Sequence, residues 1–189
     1  MAKTTLAILC AIALSACAMA QRPAASPAKA GDNKELATTL KLIHDKINEQ
    51  GQIRYTVISE NLSKGIKIEN KYAMQTGKAV VDVSACTLSA EAHMFKDGKL
   101  QTRGRDTVNV RDVTAMTVKS QTRMIREKTA RMGVTGWKGT IAPESYSLEL
   151  MSRGRISGVF FFRTQESANQ VADAVVRATK LCGGISMMP

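Results

Sequence analysis

The chain has 189 residues and a formal net charge of +11, from 27 Lys and Arg against 16 Asp and Glu. That length fits one domain with a tail, and a composition 44% hydrophobic and 23% charged excludes full disorder. Phe, Trp and Tyr number only eight, so the core must be built from Val, Ile, Leu, Met and Ala.

Residues 1–20 read as a signal segment and are set apart from the fold. Lys3 gives a positive start, and the apolar run Leu6–Leu14 is far short of the roughly 20 residues of a bilayer span. Leu14-Ser15-Ala16-Cys17 resembles the lipobox of bacterial lipoproteins. That resemblance implies that Cys17 is acylated and becomes the N-terminus. Ala18-Met19-Ala20 before Gln21 is equally a small-x-small site for ordinary secretion, so both forms stand open. Residues 21–31, with Pro23 and Pro27, form a flexible tether, 32–184 a single domain, and 185–189 a C-terminal tail. Either route puts the domain outside the cytoplasm, as a periplasmic or outer-membrane-anchored lipoprotein or as a secreted protein. Cys10 and Cys17 belong to the leader, so the mature domain keeps Cys86 and Cys182. Two cysteines in an oxidising compartment are expected to form one disulfide.

The first predicted element is a helix over Asp32–Gln50, with Leu36, Leu40, Ile43 and Ile47 at helical spacing, Asp32 as cap and Gly51 as stop. From Gln52 to Arg163 the apolar period changes to two. Alternation marks Ile53/Tyr55/Val57, Ile66/Ile68, Tyr72/Met74 and Val81/Val83. The parity changes at Ala85-Cys86, which implies a bulge or bend, and Leu88, Ala90, Ala92 and Met94 follow. Lys96-Asp97-Gly98-Lys99 is a hairpin turn. Val108/Val110 and Val113/Met116/Val118 continue the pattern. Arg123–Met132 fits a short helix, and the glycine-rich 133–139 a loop. Tyr146/Leu148/Leu150 and Ile156 with Val159–Phe162 are the last strands. Thr164 then caps a helix whose stripe of Ala168, Val171, Ala172, Val175, Ala178 and Cys182 ends at Gly183.

The class is therefore α+β: an N-terminal helix, about seven antiparallel strands in a bent sandwich or barrel, and a C-terminal helix packed on it. The strong strand at Phe160-Phe161-Phe162, followed by a small-residue helix, resembles the pleckstrin-homology-like superfold in topology over Gln52–Gly184. A plain α+β sheet with helices on one face is the competing arrangement.

Motifs for catalysis are sparse. His44 and His93 read as surface or edge histidines, and neither a metal nor another cofactor is expected. Ser26-Pro27-Ala28-Lys29 matches a serine-hydrolase pattern in letters but lies in the tether. Gly77-Lys78-Ala79 lacks the rest of a phosphate loop. Glu144 and Glu149 are candidate acids for a small secreted hydrolase, but ion pairs with nearby arginines are the expected role.

The charge is uneven. Between Lys96 and Lys138 stand eleven basic side chains against four acidic ones. Arg103, Arg105, Arg123, Arg126, Arg131 and Lys138, with Trp137 as anchor, are the candidate binding residues. Such a surface attracts lipid head groups, acidic polysaccharide or an acidic protein. Nucleic acid is not an expected partner, since the compartment is wrong and few aromatics are present to stack on bases. The reading is a non-catalytic binding module of the cell envelope that contacts a protein or an anionic envelope component. A structural lipoprotein docking to a larger envelope complex is the alternative.

Overall fold

The computed structural model describes residues 30–61, 63–131 and 136–184. The expected signal segment, Cys17, the expected tether up to residue 29, residues 132–135 and the expected C-terminal tail lie outside the described residues. The first helix, α1 (Ala30–Gln50), begins two residues ahead of the expected cap and so takes in the end of the expected tether. Its stripe of Leu36, Leu40, Ile43 and Ile47 is buried throughout. Burying such a side chain fully is worth about 1.5–3 kcal/mol, so this face decides where the helix sits. Gly51 ends it, donating its N–H to Ile47 at 2.9 Å and accepting from Thr76 N–H at 2.8 Å.

Four strands then run as an antiparallel meander: β1 (Gln52–Asn61), β2 (Ile66–Asp82), β3 (Thr87–Lys96) and β4 (Lys99–Asn109). A short 3-10 turn (Val110–Asp112) leads into β5 (Ala115–Ser120) and α2 (Gln121–Arg131). Next come β6 (Trp137–Ala142), β7 (Tyr146–Ser152), β8 (Arg155–Phe162) and α3 (Gln165–Leu181). They make a five-stranded sheet of order β4-β3-β2-β1-β6 and a three-stranded sheet of order β5-β7-β8, neither closed as a barrel. The class is α+β with helices at both ends, as expected, but with eight strands rather than about seven.

The differences from the expected strands have local causes. Ile66/Ile68 and Tyr72/Met74 belong to one 17-residue strand, β2, whose register shifts between Gly77 and Val80. The parity change at Ala85-Cys86 is the hairpin turn between β2 and β3 rather than a bulge. There Asp82 Oδ1 accepts from Ser84 Oγ and Ala85 N–H, and Cys86 takes φ 53°. Those two donors, the serine first, hold the Asp82 carboxyl below its usual range. The Asp97-Gly98 turn is as expected, with φ 48° and 79°, both in the left-handed region that a primed turn requires. The end of the glycine-rich stretch is strand β6 rather than loop. Gly139 sits there because a Cβ would lie 2.6 Å from Ile125 Cγ2 of α2.

The core lies between the two sheets and the helix pair α1 and α3. Leu88, Ala90 and Val108 enter from the large sheet, Leu148, Leu150, Phe160 and Phe162 from the small one. Ala168, Val171, Val175 and Ala178 enter from α3. The sheets approach most closely at Gly158, where a Cβ would lie 2.6 Å from Val108 Cγ2. Beside it Val159 N–H donates to Asp106 Oδ2 at 3.2 Å. Thr164 caps α3 by accepting from Ser167 N–H at 3.2 Å. At its other end Cys182 is joined to Cys86 by the expected disulfide, across 96 positions. Among the described residues, no helix is long and apolar enough to cross a membrane.

Candidate functional site

Strand alternation sends Ile53 and Met74 inward and leaves their neighbours on the outer face of the large sheet. Register aligns those outer residues in rows. One row is Gln52, Gln75, His93, Arg103 and the next is Arg54, Ala73, Phe95, Leu100. Thr56 begins a third row, with Ala142 on one side and Lys71 on the other. Small side chains at Ala73 and Ala142, between longer neighbours, open a groove over β1 and β2.

The groove consists of two adjoining clefts of about 490 Å³ each, sharing Arg54, Ala73, Gln75 and Pro143. The first is lined further by Gln52, Glu144, Ser145 and Arg163. The second is lined by Thr56, Lys71, Phe95 and Ala142. Three cations therefore meet at one concave surface. Arg163 is fixed there, its Nε–H donating to Gln52 O at 3.0 Å. Among the described residues, the side chains of Arg54, Gln52 and Gln75 have no protein hydrogen-bond partner. Ser145 is only 1% exposed, yet its Oγ has no partner either. A buried hydroxyl without a partner costs about 1–3 kcal/mol of desolvation, which a ligand oxygen would relieve.

Among the described residues, Glu144 is the one carboxylate lining the groove, and its Oε1 is already engaged. It accepts from Thr122 N–H at 3.1 Å and Ser145 N–H at 3.2 Å. With Ser120 Oγ accepting from Arg123 N–H at 3.2 Å, it closes the N-terminus of α2. Glu149 pairs with Lys119 at 3.2 Å. Both candidate acids thus have structural partners, but these are a helix terminus and a lysine rather than the expected arginines. His44 bonds Asp45 and Asn48 on α1.

The candidate binding residues are divided by the sheet. Arg103 and Arg105 share the outer face with the groove, in register with His93 and Glu91 on β4, one edge of the sheet. Lys138 lies opposite Glu60 on β6, the other edge, on that same face. Arg123, Arg126 and Arg131 sit on α2, which packs against the face bearing Gly139 and Ile141. Arg123 and Arg131 both bond Glu127. The backbone of Trp137 opens β6 opposite Asn61, and its side chain lies outside the described residues. Arg111 holds the end of α3, donating Nε–H to Cys182 O at 2.7 Å. Much of the basic run is thus held in structural pairs. The groove cations Arg54, Lys71 and Arg163 lie outside that run, and Arg54 and Lys71 carry a sequence signal only as polar positions on alternating strands. On the reverse face Tyr55 stacks on Tyr72 with ring centroids 5.5 Å apart. Burial first, then the neighbouring tyrosine, pushes the Tyr55 hydroxyl up to about 12, so it stays neutral.

The Cys86–Cys182 disulfide is consistent with an oxidising compartment outside the cytoplasm. Comparison with protein-family models, curated proteins and solved structures finds no match to this chain.

Proposed function

We propose that this chain is an extracytoplasmic, membrane-tethered binding module that holds an anionic component of the cell envelope. The observation that carries this reading is the outer-face groove, where Arg54, Lys71 and Arg163 meet beside the unpartnered Ser145 hydroxyl. Anions attached to a surface suit such a site, because guanidinium groups hold phosphate or carboxylate with two N–H donors at once. The disulfide, the lipobox-like Cys17 and the stretch of Ala and Pro after it support a position outside the cytoplasm and near a membrane. Arg103 and Arg105 widen the same positive face and would raise the encounter rate more than the affinity.

The test is co-sedimentation of the mature domain with vesicles of phosphatidylglycerol and of phosphatidylcholine. Binding should favour the anionic vesicles and weaken between about 50 and 500 mM salt. Arg54→Gln or Arg163→Gln should each cost about tenfold, the scale of one lost charge-assisted hydrogen bond. Equal binding to both vesicle types, or unchanged binding by both variants, would overturn the reading. The alternative, a structural lipoprotein docking into a larger envelope complex, draws on Ile66 and Ile68. They share one face of β2 and are 46% and 44% exposed.

A further inference from the structure

Resting on the anion-binding reading, we infer that the groove takes one single-chain anionic amphiphile lengthwise. Its head group sits in the first cleft, against Arg54, Arg163 and Ser145, and its hydrocarbon lies along Ala73, Phe95 and Ala142 in the second. The two clefts are continuous but differ in chemistry. The first gathers two guanidinium groups, the amides of Gln52 and Gln75, and the buried hydroxyl of Ser145. The second shares Arg54 and Gln75 with the first and adds Thr56 and Lys71, while Ala73, Phe95, Ala142 and Pro143 supply its apolar lining.

A small hydrophilic anion would use the first cleft and leave the second wet. A fully apolar ligand would bury the cations without neutralising them, at a high desolvation cost. A molecule with one charged end and one chain meets both. Each cleft, at about 490 Å³, is within the range of small-molecule sites. The apolar strip continues past Phe95 to Leu100, its cross-strand partner, which is 53% exposed. The four-carbon stem of Lys71 flanks the chain while its ammonium stays in water.

The experiment is calorimetric titration of the mature domain with inorganic phosphate and with octyl, decyl and dodecyl phosphate, all below their micelle concentrations. Affinity should rise about twofold per added methylene, half the increment of full burial, because the groove is open to solvent on one side. Ser145→Ala should weaken every probe several-fold and leave the chain-length slope intact. Phe95→Ala, which removes an apolar side chain that lines only the second cleft, should flatten the slope and leave inorganic phosphate binding unchanged. If phosphate binds in an Arg54-dependent way and chain length adds nothing, the amphiphile assignment is wrong while the anion site stands. A slope that survives Phe95→Ala also overturns the assignment. If neither phosphate nor any alkyl phosphate binds, the anion-binding reading itself fails.

Discussion

Single side chains carry the main electrostatic detail of the outer sheet face. Glu91 lies between Lys78 at 3.1 Å and Arg105 at 3.2 Å, with its own side chain 18% exposed. The Lys78 ammonium, ahead of the Arg105 guanidinium, holds its carboxyl below the usual carboxylate range. A carboxylate lowered in the folded state stabilises the fold above its unfolded pKa of about 4.3, and this contribution is lost as pH falls through the lower folded value. Glu91→Gln should therefore shrink the drop in denaturation midpoint between about pH 7 and pH 3, and an unchanged drop would remove Glu91 from the acid response. Arg105 shows what residue-level reading of sequence reaches: its place in a basic strand was evident, its partner was not. Glu91 is fourteen positions away and meets it only through the register of β3 with β4. Arg54 and Lys71 were silent for a related reason. Arg54 is the single cation of β1 and Lys71 one of three lysines spread along β2, and only the pairing of Thr56 with Lys71 and Arg54 with Ala73 sets them around one hollow.

At the scale of elements, the two long helices were the most legible. Leu36, Leu40, Ile43 and Ile47 on α1, and Val171, Val175 and Ala178 on α3, repeat at the helical period because both helices bury one face. β2 was less so. Asn70 interrupts the apolar series between Ile68 and Tyr72, so the alternation reads as two short runs although hydrogen bonding continues through it. β6 hid behind its glycine: Gly139 is strand rather than turn because α2 packs where its side chain would be. The pairing of Cys86 with Cys182 was readable by counting, once Cys10 and Cys17 are assigned to the expected leader. It ties the turn before β3 to the end of α3 and closes a loop across 96 positions, well over half of the domain. Changing both cysteines to serine should lower stability by about 2–5 kcal/mol, measured by denaturant unfolding against the oxidised protein. A loss below about 1 kcal/mol would mean that Arg111 and the α3 core contacts hold the helix end without the bond. Reduction of the wild type with a thiol should reproduce the variant, which separates loss of the cross-link from loss of cysteine packing.

For the whole molecule, the point at issue is where the positive charge acts. The excess in residues 96–138 follows the order of the chain, and folding redistributes it. Arg123 and Arg131 turn to Glu127 on α2, Lys119 to Glu149, and Arg111 to the end of α3. Arg103 and Arg105 remain on the outer face, with three strands between them and β6. The concave site forms instead where β1, β2, the β6–β7 connection and Arg163 converge. The fold class was legible because periodicity reports burial. The groove was not, because concavity depends on cross-strand neighbours that no local pattern encodes. The most direct measurement is an amide ¹⁵N–¹H spectrum of the mature domain titrated with inorganic phosphate. The expected result is saturable shifts confined to Gln52, Arg54, Gln75, Ser145 and Arg163, abolished in Arg54→Gln. Shifts centred on Arg123–Arg131 of α2, or none at saturating phosphate, would contradict it.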